Sequence, residues 1–380
     1  MDLVLTDEQT LLQETAREFV SKNSSLRRIR ALRDSRDPLG YSRDLWTEMA
    51  QLGWLGIPFP EEHGGVGLGY TELMVVLEEF GRGLMPEPLL STVLLGGSAL
   101  ALAGTAEQQQ AILPELTAGN LLITLAYQEP RSRYNPTLVE TRAQRASGGW
   151  TLSGEKVQVP DLCGADRVIV SARTAGGAGD AHGITLFVLD GKAPGVSIER
   201  QWRIDSRNAG HLHLDQVAVG PAHVLGAVDG GGALLAGVLD RATAGLCAEM
   251  LGSMLAAFEM TLDYLKTRVQ FGVPIGSFQA LKHRAAKMFI EIELARSVVL
   301  AAHKALDDGS PDVAKLVSAA KARCSDAFVL VGNEMVQMHG GIGMTDEHDA
   351  GFFLKRARVA DVTFGDAPYH RDRFAALNGY

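Results

Sequence analysis

The spacing of hydrophobic positions changes twice along the chain. From Thr6 it is helical: Leu11, Leu12, Ala16, Phe19 and Val20 share one face, and Thr6 precedes acidic residues as a candidate N-cap. The same period predicts helices over 45–52, 70–81 and 106–117. The glycine-rich EEHGGVGLG, residues 61–69, lacks the following lysine and the preceding strand of a phosphate loop, so it reads as an interhelical turn. From about residue 121 to 225 the pattern becomes short alternating runs, at 121–126, 150–152, 167–171 and 184–189, broken by Gly-Gly, Ser-Gly and Asp-Gly pairs. That predicts an antiparallel β domain of sandwich or barrel type. After Gly230, Gly231 and Gly232, helical spacing returns over 234–268, 278–307 and 311–338, with a shorter helix near 350–359. The expected fold is α+β and multidomain: an N-terminal α-helical domain (1–120), a middle antiparallel β domain (121–228) and a C-terminal helical-bundle domain (229–380). There is no internal repeat or low-complexity tract.

Composition narrows the function classes. A chain of 380 residues with 46% hydrophobic and 21% charged residues has the balance of a soluble globular protein of two or three domains. Its 36 basic against 45 acidic residues, net −9, leave no basic stripe for tracking nucleic acid, though a local basic pocket for an anion is compatible. Cys163, Cys247 and Cys324 have no metal-ligand spacing and predict free buried thiols in a reducing, cytoplasmic setting. The N-terminus is acidic where a signal peptide would be basic. The apolar stretches near 89–103 and 233–238 are short or interrupted, so no membrane insertion is expected.

Candidate chemistry concentrates in two stretches of the last domain. In RVQFGVPIGSFQ (268–279), Arg268 stands three residues before an aromatic-glycine turn, Phe271-Gly272. Such an arginine can clamp a pyrophosphate while the aromatic covers a flat ring; Gln279 follows as an amide donor, and Gln270 lies inside the stretch. In QMHGGIGMT (337–345), Gly340, Gly341 and Gly343 would let backbone N–H groups approach a phosphate or ribose beside Gln337. Taken singly, each also fits a helix end in solvent.

Together with LGWLGIPFPEEHGGVGLG, the Glu129-Pro130 pair, LSGEKV (152–157) and GADRVIVSART (164–174), these stretches make the whole chain resemble the acyl-CoA dehydrogenase family. The resemblance implies an N-terminal helical domain, a middle β domain and a C-terminal four-helix bundle. It also implies FAD, removal of two hydrogens from the α and β carbons of an acyl-CoA, and an electron-transfer flavoprotein as acceptor.

The chain departs from the family where the reaction needs a base. The position of the family glutamate falls on Phe364, beside Gly365, and a phenylalanine accepts no proton. The alternative base position, on the first helix of the last domain, falls near Ala242, two residues after Asp240. Asp366 is the nearest carboxylate, a candidate shifted base or a capping residue. His339 and His370 could titrate near neutrality but occupy no position the family uses for proton abstraction. In the middle domain, Gln128-Glu129-Pro130 leads into Arg131, Arg133 and Tyr134 where the family has small residues, and Gln158, Val159 and Pro160 replace its Trp-Ile-Thr. Proline supplies neither hydroxyl nor N–H. In family tetramers the two C-terminal stretches reach a neighbour's FAD. The resemblance therefore extends to the small, non-catalytic subunits of bacterial two-subunit acyl-CoA dehydrogenases, such as the pimeloyl-CoA type, and implies an α2β2 complex with a homologous glutamate-bearing subunit. Two alternatives stand beside this: a self-sufficient flavoenzyme using Asp366, and a flavin-free acyl-binding or structural homologue.

Overall fold

The computed structural model describes residues 5–380. Helices lead the chain: α1 (Asp7–Asn23), α2 (Leu26–Asp34), α3 (Arg43–Gln51) and α4 (Tyr70–Arg82). A π-helical stretch, Leu90–Gly97, runs into α5 (Ser98–Ala103), and α6 (Ala106–Thr117) follows. Eight strands come next: β1 (Ile123–Ala126), β2 (Arg142–Ala146), β3 (Gly149–Pro160), β4 (Arg167–Arg173), β5 (Ile184–Asp190), β6 (Val196–Trp202), β7 (Asn208–Val219) and β8 (Val224–Leu225). The rest comprises α7 (Gly231–Thr267), the short strands β9 (Val269–Gln270) and β10 (Val273–Pro274), and α8 (Gln279–Asp307). It ends with α9 (Val313–His339), α10 (Ala350–Val362) and α11 (Ala367–Leu377).

These elements form two compact units. The helical unit takes the described part of Met1–Ala31, with Gly69–Met85 and Thr243–Tyr380. As expected, α1 begins at Thr6, whose hydroxyl and the Gln9 side chain satisfy each other's backbone N–H in a capping box. Ala16, Phe19 and Val20 are its buried face, but Leu11 is 65% exposed, because it lies outside the stripe those three define. Where α4 meets α7, backbones touch: a Cβ on Gly252 would lie 1.7 Å from the Glu78 carbonyl oxygen, and one on Gly81 2.0 Å from that of Glu249. By length and composition α7 could cross a membrane, contrary to the expectation that no stretch could. Two thirds of its most apolar window (67%) is nevertheless buried within the protein, as in a core helix.

The second unit, Leu32–Leu68 with Pro86–Ala242, holds a sheet in the order β6-β7-β3-β2-β4-β5-β8, with β1 paired to β4. The sheet is mixed, not purely antiparallel: β1 runs parallel to β4, and β2 meets β4 in parallel at Arg142. The β2–β3 hairpin lies in the connection from β1 to β4 and acts as the crossover that a parallel pair requires. One face of the sheet buries Trp150, Leu152, Val170, Phe187, Leu212, Leu214 and Val217, with Trp150 edge-on to Phe187 at 5.6 Å. Each such side chain contributes about 1.5–3 kcal/mol on burial.

A charged pair lies inside this unit. The Lys156 ammonium is fully buried and donates to Glu129 Oε1 (2.6 Å) and Ser171 Oγ (3.0 Å). The Glu129 carboxylate also accepts from the backbone N–H groups of Glu140 (2.6 Å) and Thr141 (3.0 Å). Burial pushes the Glu129 carboxyl up, but Lys156 and the Thr141 and Glu140 hydrogen bonds outweigh it and hold it below its ordinary value. Burial pulls Lys156 down to about 8, against the attraction of Glu129.

Candidate functional site

Both stretches singled out in the sequence lie in the helical unit. After α7, the Arg268 backbone N–H still bonds to the Tyr264 carbonyl (2.9 Å), and the Ile275 N–H closes onto the Arg268 carbonyl (2.8 Å). Between them β9 and β10 pair Gln270 with Val273, leaving Phe271 and Gly272 as a two-residue turn. Both have positive φ, +52° and +79°, as a type I′ turn demands. Gly272 adopts this freely, whereas a phenylalanine there is strained. Phe271 is nevertheless 92% exposed at the tip, and among the described residues its one ring contact is edge-on to Phe278 at 6.2 Å. Arg268, Gln270 and Gln279 are also exposed, and the Arg268 guanidinium makes no hydrogen bond or ion pair among the described residues. The turn thus displays a strained aromatic near an uncommitted cation in sequence.

The second stretch ends α9. Gly340 (φ +67°) stops the helix, and a Cβ on Gly340 or Gly341 would meet nothing within 4 Å, so both backbones are open to approach beside the exposed Gln337. Gly343 differs: it is buried, and a Cβ there would lie 2.8 Å from the Val336 carbonyl oxygen and 2.9 Å from His339 Cβ, a packing requirement. A ring stack that sequence reasoning missed joins the two stretches. Tyr264 lies on His339 (centroids 4.4 Å), and His339 on His348 (4.5 Å), so the end of α7 is fixed to the end of α9. His339 Nδ1 bonds to the Met335 carbonyl (2.7 Å), Nε2 is buried without a partner, and burial lowers its pKa. Only the aromatic residue types at 264, 339 and 348 hinted at this.

The expected base position lies between α10 and α11. Phe364 is half-buried with φ +59°, and its carbonyl bonds to His370 Nε2 (2.9 Å). From beneath, the buried Lys321 ammonium donates to Gly365 O (2.7 Å), Asp361 O (2.8 Å) and Ser325 Oγ (2.9 Å), using all three of its hydrogens. Asp366 is the N-cap of α11, its Oδ1 accepting from Tyr369 N (3.0 Å). Ala242 is fully buried and Asp240 nearly so.

The expectation that His339 and His370 titrate near neutrality is corrected: burial depresses both, and at His370 burial with the neighbouring Lys321 charge brings the pKa to about 3. The unfolded imidazole takes up its proton near 6.5 and the folded one only near 3. Across that window the unfolded chain binds more protons, so stability falls as acid is added. His370→Gln should flatten this loss, read from urea unfolding at neutral pH and near the middle of the window. The same acid sensitivity in both proteins would contradict the assignment.

In the β unit, the positions that depart from the family pattern are also ordered. Gln158 (φ +56°) is exposed in a bulge between Lys156 and Val159. Pro160 pairs with Ala209 and gives its carbonyl to Thr124 Oγ1 (2.8 Å). Arg131 pairs with Glu140 (3.1 Å) with both side chains well exposed, and Arg133 packs over Tyr134. Of the three cysteines, Cys247 and Cys324 are buried and Cys163 half-buried, all free.

Comparison with known proteins agrees along the length of the chain. The N-terminal, middle and C-terminal domains of acyl-CoA dehydrogenase match residues 6–120, 124–217 and 229–377. A probable acyl-CoA dehydrogenase of Bacillus subtilis, YngJ, is 30% identical, covering 98% of each chain. Among solved structures, a variant of the Tcur3481–Tcur3483 steroid ACAD is 35% identical, covering 98% of each chain with a TM-score of 0.87. A chain of the ChsE4–ChsE5 complex from Mycobacterium tuberculosis is 26% identical, covering 100% of each chain with a TM-score of 0.90.

Proposed function

Since this chain belongs to the acyl-CoA dehydrogenase family, we propose that it is the non-catalytic subunit of a heteromeric FAD-dependent acyl-CoA dehydrogenase. The observation that carries this reading is the contrast between two phenylalanines. Phe271 is strained and displayed outward beside an unpaired Arg268, whereas Phe364 fills the position where the reaction needs a carboxylate. The residues present fit one half of an FAD site. Arg268 and Gln270 would hold the pyrophosphate of a flavin bound to the partner, with Phe271 and Gln279 alongside. Gln337 and the open backbones of Gly340 and Gly341 would line its adenosine side, with Gly343 keeping the turn in shape. The residues that would serve a flavin of its own fit poorly: Pro160 has no N–H or hydroxyl to offer, and Asp366 is engaged as a helix cap.

FAD supplies the two-electron acceptor for α,β-dehydrogenation of an acyl-CoA in this family. The base is the glutamate of the partner subunit, the assembly is α2β2, and an electron-transfer flavoprotein takes the electrons onward. Similarity to a chain of the ChsE4–ChsE5 complex and to the Tcur3481–Tcur3483 pair supports a partner subunit. The test is purification alone and after co-expression with a glutamate-bearing homologue, reading flavin absorbance per chain. Alone, the chain should carry no flavin; with its partner it should form a complex in which half of the usual sites hold FAD that acyl-CoA reduces. A homo-oligomer carrying stoichiometric, substrate-reducible FAD would overturn the proposal.

A further inference from the structure

Away from the helical unit, β7 carries His211 and His213 two residues apart. The alternation of a strand puts both imidazoles on the solvent side of the sheet while Leu212 and Leu214 enter the core. Glu199, on the edge strand β6, stands directly across from His211, and Glu155, on β3, directly across from His213. One ligand atom each of Glu199, His211 and His213 lie within 4.8 Å of one another. His213 Nε2 is 3.9 Å from Glu199 Oε2, and its Nδ1 is 3.8 Å from Glu155 Oε2.

We propose that this face binds a divalent transition-metal ion, with His211, His213 and Glu199 as its protein ligands. Two imidazoles and a carboxylate form the donor set that zinc, nickel and copper prefer over calcium or magnesium. Zinc holds such nitrogens and oxygens at about 2.0–2.2 Å, so the three side chains must draw together. Their Cα positions are already fixed by continuous ladder pairing from Val196 to Trp202, and only side-chain torsions need change. Glu155 suits an outer role: with Nε2 of His213 on the metal, its Nδ1–H faces the Glu155 carboxylate, which orients the ring. The Gln201 amide nitrogen lies against His211 Nε2, while Gln201 Oε1 is buried without a partner. Exchanging the two ends of that amide would set an oxygen beside the imidazole as a further donor. The ion would tie the edge strand β6 to β7, where two lone histidine–carboxylate contacts on an open sheet face contribute little.

The test is calorimetric titration of zinc chloride into the tag-free full-length chain after chelator treatment, with melting temperature as a second readout. Expected are one saturable site per chain, a zinc-dependent rise in melting temperature, and loss of both in His211→Ala/His213→Ala. Glu199→Gln, a milder change on an exposed side chain, should weaken binding by at least about tenfold, and Glu155→Gln by about 10–100-fold with the stoichiometry kept. No saturable zinc binding by the wild-type chain, or binding unchanged in the double variant and in Glu199→Gln, would overturn the proposal.

Discussion

Lys156→Met will destabilise the protein by about 3–5 kcal/mol, because it leaves the Glu129 carboxylate buried with its counter-ion gone. Glu129 is 3% exposed and cannot turn to water, and the two backbone N–H groups it accepts from do not replace a full positive charge. Pairing Lys156→Met with Glu129→Gln should recover part of the loss, since a neutral pair of similar volume avoids the cost of desolvating two ions. Chemical denaturation of the four proteins in a double-mutant cycle measures the coupling. A loss below about 1 kcal/mol for Lys156→Met would show that water reaches the pair and that its burial is not what holds the site together.

In the complex proposed above, Arg268→Ala will weaken flavin retention by about 10–100-fold, the loss expected when a charge-assisted contact worth roughly 1.5–3 kcal/mol is removed. The substitution lies on the chain proposed to leave the base to its partner, so on that reading an effect would report a residue reaching across a subunit boundary. Arg268 is exposed and unpaired in the isolated chain, so its removal should leave the stability of that chain unchanged. Flavin absorbance of the complex after gel filtration, set against the melting temperature of the isolated subunit, separates binding from folding. Full flavin occupancy in the Arg268→Ala complex would remove the arginine from the site.

Much of the helical architecture could be read from the residues. The Thr6 cap marked the start of α1, and apolar spacing alone gave α6 its observed bounds. Strands β2 and β6 were invisible for a physical reason: β2 is exposed at all but one position and β6 presents no buried face, so neither alternates. The parallel pairing of β1 with β4 is a long-range choice with no local signature. Lys156 and Glu129 stood out as parts of separate motifs, yet the 27-residue gap between them hid that they form one buried pair. At the candidate site, Phe271-Gly272 was legible as a turn. The left-handed backbone of the phenylalanine and the stacking of Tyr264 on His339 were not, because both depend on how the segments meet.

Lys321 at Gly365 and Asp361, and His370 at Phe364 itself, hold the loop at Phe364 through main-chain oxygens. None of these contacts consults the side chain at 364. A mould fixed in this way does not depend on the residue it presents, so a carboxylate and a hydrocarbon could be exchanged at 364 without unravelling the helices on either side. Chemistry and architecture at this point are therefore written in different atoms, the first in a side chain and the second in the carbonyls behind it.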